Sequence, residues 1–281
     1  GKVNLKRNGG KKIIIGEKVN ATRKSIAKAI ISRDKNALKE QIEAQDAAGA
    51  HYIDVNVGTG SGDENKEVED MKWLLDLTLE TTEKKISIDS PNPLIIQKAV
   101  EHLSGRRPYL INSIKHDEHL FEALFPIIAP NEIPFIALAM DEKGIPEDAE
   151  ARAAVCLKIY EAAKKAGIKE ENIFFDPLVM PVSANWIYGR IALDTLQIVK
   201  KAVPEAKTSM GISNISFGLK KRVWVNEAFL IASLSHGLDA AICDPTKESI
   251  RRAILLGEMI AGRDKFCRRY SRALRQGDFE K

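Results

Sequence analysis

The sequence predicts a single closed (β/α)8 barrel, and three observations carry that expectation. Short β-rich apolar runs alternate with amphipathic helical stretches along the whole chain. Eight such runs occur, each separated from the next by the length of a strand plus a crossover helix; eight β–α units in about 250 residues is the arithmetic of a closed parallel barrel. No low-complexity stretch and no Pro/Gly-rich linker divides the chain. The competing arrangement, a doubly wound open sheet, usually stops at five or six strands. Its GxGxxG phosphate turn is also missing, since the first strand-to-helix turn reads Gly16-Glu17-Lys18-Val19-Asn20.

Taken in order, the strands are expected at Lys12–Gly16, Tyr52–Val57, Lys85–Ile88, Tyr109–Ile111, Pro134–Met140, Ile173–Phe175, Thr208–Ile212 and Asp239–Cys243. Between the first two, Asp34 caps a helix that runs through Ala48 and ends at Gly49. Glu64–Thr82 places Val68, Met71, Leu75 and Leu79 on one face, with acids and lysines on the other. Asn92–Leu103 and Asp117–Ile128 follow as helices. Asp148–Ala166 carries Val155, Ile159, Ala162 and Ala166 at helical spacing and stops at Gly167. Arg190–Ala202, Val225–His236 and Lys247–Ala261 complete the ring of helices. Along the chain this divides into residues 1–11, a tag remnant or flexible N-terminal segment that starts with Gly rather than Met; residues 12–262, the barrel; and residues 263–281, a basic helical tail.

Composition narrows the function. The chain has 281 residues, 44% hydrophobic and 29% charged, which excludes a disordered or collagen-like protein and suffices for a core without staples. No apolar run reaches membrane-spanning length and no secretory signal is visible, so no membrane partner is expected. The +4 net charge stems from Lys2, Lys6, Arg7, Lys11 and Lys12; the remainder is within one charge of neutrality, so no nucleic-acid partner is expected. Cys156, Cys243 and Cys267 form no CxxC pair, which points to a reducing cytoplasm, with Cys156 and Cys243 as core residues. The five histidines show neither HxH nor HExxH spacing, so no metal bound by this chain is expected.

The chemistry gathers at the strand ends, where barrels of this kind build their sites. The first strand ends in Glu17 and Asn20, the second carries Asp54 and Asn56, and Asp89, Asn112, Asp176, Asn214 and Asp244 close later ones. A single such residue is explained by capping of the next helix, and Asp244 before Pro245 is open to that reading. A whole ring is not, because capping needs no polar residue inside the apolar run. Carboxylates and amides with almost no Lys, Arg or His suit a flat heterocycle rich in N–H donors and not a phosphate ester. Gly58-Thr59-Gly60-Ser61-Gly62 lacks the Lys-Ser/Thr of a phosphate loop and reads as a mobile βα loop.

Seven segments then recur in order: Gly16-Glu17-Lys18-Val19-Asn20, Asp54-Val55-Asn56-Val57-Gly58, Ile88-Asp89-Ser90, Ile111-Asn112-Ser113, Asp176-Pro177-Leu178, Gly211-Ile212-Ser213-Asn214-Ile215-Ser216 and Leu238-Asp239-Ala240-Ala241-Ile242. On these segments, over residues 12–262, the chain resembles the pterin-binding, dihydropteroate synthase-like barrels, and within them the methyltetrahydrofolate:corrinoid methyltransferases and the folate domain of cobalamin-dependent methionine synthase. The resemblance implies methyl transfer between N5 of tetrahydrofolate and the cobalt of a corrinoid held by a partner protein. It implies that Asp89, Asn112 and Asp176 hold the pterin and that Asn214, the catalytic residue, sits by N5. Glu17, Asn20, Asn56 and Ser213 would support the site. Arg222 matches a family Arg after the seventh strand. Phe217 stands where methionine synthases have Phe and many single-domain methyltransferases have Gln. A homodimer is expected from the same resemblance, in the cytoplasm, either feeding methyl groups into acetyl synthesis or accepting them from a demethylating system; a free-standing component with Phe217 favours the accepting direction. Asp117-Glu118-His119-Leu120-Phe121-Glu122 echoes the cobalt-ligating DxHxxG loop but has Glu122 for Gly, so the corrinoid is expected on another chain. Two alternatives remain. Dihydropteroate synthase has Ser-Arg-Lys where this chain has Ser213-Asn214-Ile215, and its first-loop Pro-Asp is missing from Asn20-Ala21-Thr22-Arg23-Lys24-Ser25. The other is a non-catalytic folate-binding scaffold.

Overall fold

The structure, a computed structural model, describes residues 12–58 and 62–277. Eight parallel strands close into a barrel in sequence order, with the first hydrogen-bonded to the last. They are β1 (Ile13–Asn20), β2 (Tyr52–Asn56), β3 (Lys85–Asp89), β4 (Tyr109–Ile114), β5 (Phe135–Leu138), β6 (Ile173–Asp176), β7 (Lys207–Gly211) and β8 (Ala240–Cys243). Around them run α1 (Lys24–Ile31), α2 (Lys35–Ala47), α3 (Glu64–Thr81), α4 (Pro93–Leu103), α5 (Glu118–Ile128), α6 (Ala149–Lys165), α7 (Tyr188–Ala202), α8 (Arg222–Ser235), α9 (Glu248–Ile260) and α10 (Arg268–Arg275). The (β/α)8 expectation is therefore met. Among the described residues no helix is long and apolar enough to cross a membrane.

The helix starts follow the capping chemistry read from the sequence. The Asp34, Asp117 and Asp148 carboxylates accept backbone N–H bonds from Ala37, His119 and Ala151, which satisfies donors left open in the first turn. The Asp117 carboxylate is thus occupied in opening α5, with the backbone N–H of His119 as its donor. Met71 and Leu75 of α3 and Val155 and Ile159 of α6 are buried against the sheet. Cys156 and Cys243 lie in the core, whereas Cys267 is exposed.

Inside the barrel, Ile15, Tyr52, Leu110, Ile136, Phe174 and Ala240 pack into one apolar plug. Side chains two apart on a strand share a face. Two residues on from Ile15, Tyr52, Leu110 and Phe174 come Glu17, Asp54, Asn112 and Asp176. The same strand face that fills the barrel low down therefore turns polar at the C-terminal mouth.

Two local expectations fail. The first strand does not stop at Gly16 but runs to Asn20 through a register shift between Gly16 and Val19. Gln45 of α2 causes the break: its Oε1 accepts the Lys18 N–H at 3.0 Å and lies 2.4 Å from where a Cβ on Gly16 would stand. Beyond the bulge, Val19 is fully buried opposite Val55, so pairing resumes. The second miss is α1, whose short apolar face of Ile26, Ala29 and Ile30 was not expected as a helix. The proposed N-terminal segment, residues 1–11, and residues 59–61 of the glycine loop lie outside the described residues.

Candidate functional site

The mouth holds a cavity of about 410 Å³ lined by Glu17, Asn20, Asp54, Asp89, Asn112, Asp176, Ser213 and Asn214, with Leu138, Leu178, Val179 and Ile242 supplying apolar walls. Register explains the convergence: Asp89 stands opposite Asn112, and Asp54, which faces the same interior, is one strand over opposite Ser87. The side chains are already cross-linked. Asn20 Nδ2 donates to Asp89 Oδ2 at 3.1 Å, and Asn112 Nδ2 donates to Asp54 Oδ1 at 3.2 Å. Asp176 accepts the Leu178 N–H at 2.9 Å and the Ser209 hydroxyl at 3.3 Å. Glu17 accepts the Ser213 hydroxyl at 3.3 Å. The Asn214 amide, on the 3-10 turn Ile212–Ser216 after β7, is exposed at the rim and makes no side-chain hydrogen bond among the described residues.

Burial sets the electrostatics. It pushes the Glu17 carboxyl up to about 7, with Arg23 and the Ser213 hydroxyl pulling the other way. It pushes Asp176 up to about 7, opposed by the Leu178 N–H and Ser209. Asp54 is pushed up by burial, and Asp89 rises well above the usual carboxylate range because burial is joined by the charge of Asp54. Three buried aspartates held by neutral donors, beside a Glu17 that also has Arg23 near it, are poised to ionise when a donor-rich ligand arrives.

The structure does not bring all the expected residues into this cup. Asn56 stands behind it: it hydrogen-bonds Asp89, and its Oδ1 accepts the Gly58 N–H at 3.0 Å. Phe217 and Arg222 line a second cavity, about 600 Å³, which shares Glu17, Arg23 and Ser213 with the first. Arg222 opens α8 and spends its guanidinium on the Ser213 carbonyl (2.7 Å) and Ser216 hydroxyl (3.0 Å), while Phe217 follows the 3-10 turn and stays exposed. The expectation of a ring nearly free of cations also needs correction. Arg23, just ahead of α1, reaches Glu17 at 3.5 Å, and Lys18 approaches Asp244 at 3.9 Å. Both arrive through the bulged end of β1, which sequence spacing does not reveal. Asp54 was visible as a strand residue, but only the register of β2 against β3 places it beside Asp89. Asp244 takes the Thr246 N–H and hydroxyl, a turn-forming role. A larger hollow of about 1090 Å³ lies between α5 and α6 on the outer wall, away from this convergence of carboxyls.

A closed parallel barrel whose C-terminal mouth sets buried carboxyls and amides around one hollow has the site architecture of a barrel enzyme, with acceptors where a ligand's N–H groups could dock. The chain belongs to the pterin-binding enzyme family, whose sequence profile matches residues 16–244. It is 35% identical over 268 residues to a methylcorrinoid:tetrahydrofolate methyltransferase of Eubacterium limosum, covering 94% of this chain and 97% of that one. It is 29% identical over 248 residues to methionine synthase of Mycobacterium tuberculosis, covering 84% of this chain but 20% of that longer protein. Dihydropteroate synthases of Stenotrophomonas maltophilia and Yersinia pestis superpose with TM-scores of 0.68 and 0.65 at 16% identity, covering 90% and 92% of this chain and 94% and 98% of theirs. At that identity the likeness is one of fold.

Proposed function

We propose that this protein transfers a methyl group from a methylated corrinoid, carried by a partner protein, to N5 of tetrahydrofolate. The observation that carries the reading is the convergence of Asp89, Asn112 and Asp176 on one cavity with the unengaged Asn214 amide at its rim. A reduced pterin presents a 2-amino group and a ring N–H side by side. A carboxylate such as Asp176, already held by two donors, accepts that pair, while Asn112 both donates and accepts. Glu17, Asn20, Asn56 and Ser213 brace this edge, and Phe217 and Arg222 form the adjoining wall toward the partner. The E. limosum relative, matched nearly end to end, supports the direction of transfer.

In the reaction the N5 lone pair attacks the methyl carbon, the carbon–cobalt bond breaks, and its electron pair stays on cobalt. N5 then carries one proton too many and loses it. Asn214 orients N5 by hydrogen bonding, and the Glu17 carboxyl, near neutral pH in its ionisation, stands at the same mouth to take up a proton. Alignment of two bound reactants supplies much of the acceleration. Residues 12–262 form the pterin-binding barrel in this reading, with 263–281 as an accessory tail, and the protein works in the cytoplasm as a homodimer within a demethylating system.

The test is single-turnover transfer from a methylated corrinoid to tetrahydrofolate, followed by the methyl–cobalt absorbance. Asn214→Ala should slow it by about a hundredfold while tetrahydrofolate affinity changes only a few-fold. Unchanged rates would remove Asn214 from the chemistry. Tetrahydrofolate binding without any transfer by the wild type would favour the scaffold.

A further inference from the structure

Arg152, in the first turn of α6, is 1% exposed, yet no carboxylate lies within ion-pair distance of it among the described residues. A buried guanidinium without an anion is expensive and must find its compensation in hydrogen bonds. Here Nε donates to the Pro146 carbonyl at 2.8 Å, and Nη1 donates to the carbonyls of Pro177 (3.1 Å) and Leu178 (2.8 Å). Capping of α6 does not explain the placement, because Asp148 already performs it.

The partners of the Pro177–Leu178 peptide are informative. Its C=O accepts from Arg152, and its N–H donates to Asp176 Oδ1 at 2.9 Å. Leu178 holds φ +57°, a left-handed conformation that is costly for a bulky residue and needs support from its surroundings. The next carbonyl, that of Leu178, is the one Arg152 also grips. One planar peptide thus lies between a buried cation and a carboxylate of the cup. Hydrogen bonds in series polarise one another, so the N–H facing Asp176 is a stronger and better-aimed donor than an ordinary amide.

We propose that Arg152 is a positioning residue for pterin binding, acting on Asp176 through the Pro177–Leu178 peptide. It rests on the pterin reading of the cup but not on methyl transfer. Arg152 touches no ligand in this scheme; it fixes the orientation of the Asp176 carboxylate and favours the ionised form that accepts the pterin edge.

The experiment is a double-mutant cycle on tetrahydrofolate affinity by calorimetry, using the whole chain, with thermal unfolding recorded for each variant. Arg152→Met should weaken binding by about tenfold or more in the wild-type background. In an Asp176→Asn background, where no carboxylate remains to be positioned, it should change affinity less than about twofold. Arg152→Lys keeps the charge with fewer donors and should fall between wild type and Arg152→Met; if Arg152→Met does not fold, the lysine variant carries the same cycle. An equal loss in both backgrounds, or no loss in either, would overturn the proposal, as would a wild type that binds no tetrahydrofolate. A wild type that binds it but moves no methyl group would instead defeat the methyltransferase reading and leave this one standing.

Discussion

The two ends of the barrel treat the same residue type in opposite ways. At the N-terminal end Asp239, just ahead of β8, sits between two ammonium groups: Lys12 Nζ at 3.5 Å and Lys200 Nζ at 2.5 Å. It also accepts the Thr208 N–H at 3.1 Å. At the C-terminal end Asp176 has an N–H and a hydroxyl but no ion-pair partner among the described residues, and Asp54 has an amide. The lower carboxylate is compensated inside the fold, whereas the upper ones await compensation from a ligand. A buried charge with its counter-ion holds a structure together, and one without it is a stored binding demand.

The lower end of the barrel is the more sensitive to loss of its carboxylate. Asp239→Ala strands the Lys12 ammonium in the barrel floor and should cost about 3–5 kcal/mol in urea unfolding, with tetrahydrofolate affinity unchanged in whatever remains folded. A loss of binding without a loss of stability would reverse the assignment of the two ends. The upper end should answer in the opposite sense. Asp176→Asn should lower tetrahydrofolate affinity on the order of a hundredfold while leaving stability unchanged or slightly raised, because only neutral donors, and no ion-pair partner among the described residues, hold that carboxyl.

The pH response sharpens the same contrast. An unfolded carboxyl titrates near about 4, whereas Glu17 and Asp176 are raised to about 7 in the folded chain. A raised acid favours the folded state when protonated. The stability these two groups supply is therefore full below about pH 4 and is lost as pH climbs through about 7. In the proposed reading ligand binding runs the other way, since a pterin edge that donates two N–H bonds would prefer ionised Asp176. Affinity should rise about tenfold per pH unit below 7 and level off above it, with proton release visible by calorimetry in buffers of different ionisation enthalpy. A profile that is flat in the wild type, or unchanged in Asp176→Asn, would contradict the origin assigned here. The smallest expected effect concerns the bulge that delivers Glu17 and Asn20. Gly16→Ala pushes against the buried Gln45 side chain and should cost about 1–2 kcal/mol in thermal unfolding, with a few-fold weaker ligand binding.

Several features of the site were legible from residue order. Asp89, Asn112, Asp176, Ser213 and Asn214 all meet at one cavity, since each stands at or just past the end of an apolar run and a barrel directs all such ends to one mouth. Phe217 and Arg222 belong to the neighbouring cavity because the 3-10 turn after β7 redirects the chain beyond Asn214. Arg152 carried no motif at all, and its role depends on three carbonyls from two loops that are distant in sequence.

By itself, then, the order of apolar and polar residues determined the eightfold barrel and its polar mouth, because alternation along a strand and spacing between strands are local properties. Tertiary structure alone decided which carboxyls share one hollow, which of them are denied a cation, and how far burial shifts their ionisation. Those depend on distances across a closed ring and on the depth of solvent exclusion, and neither is written in any single stretch of the chain.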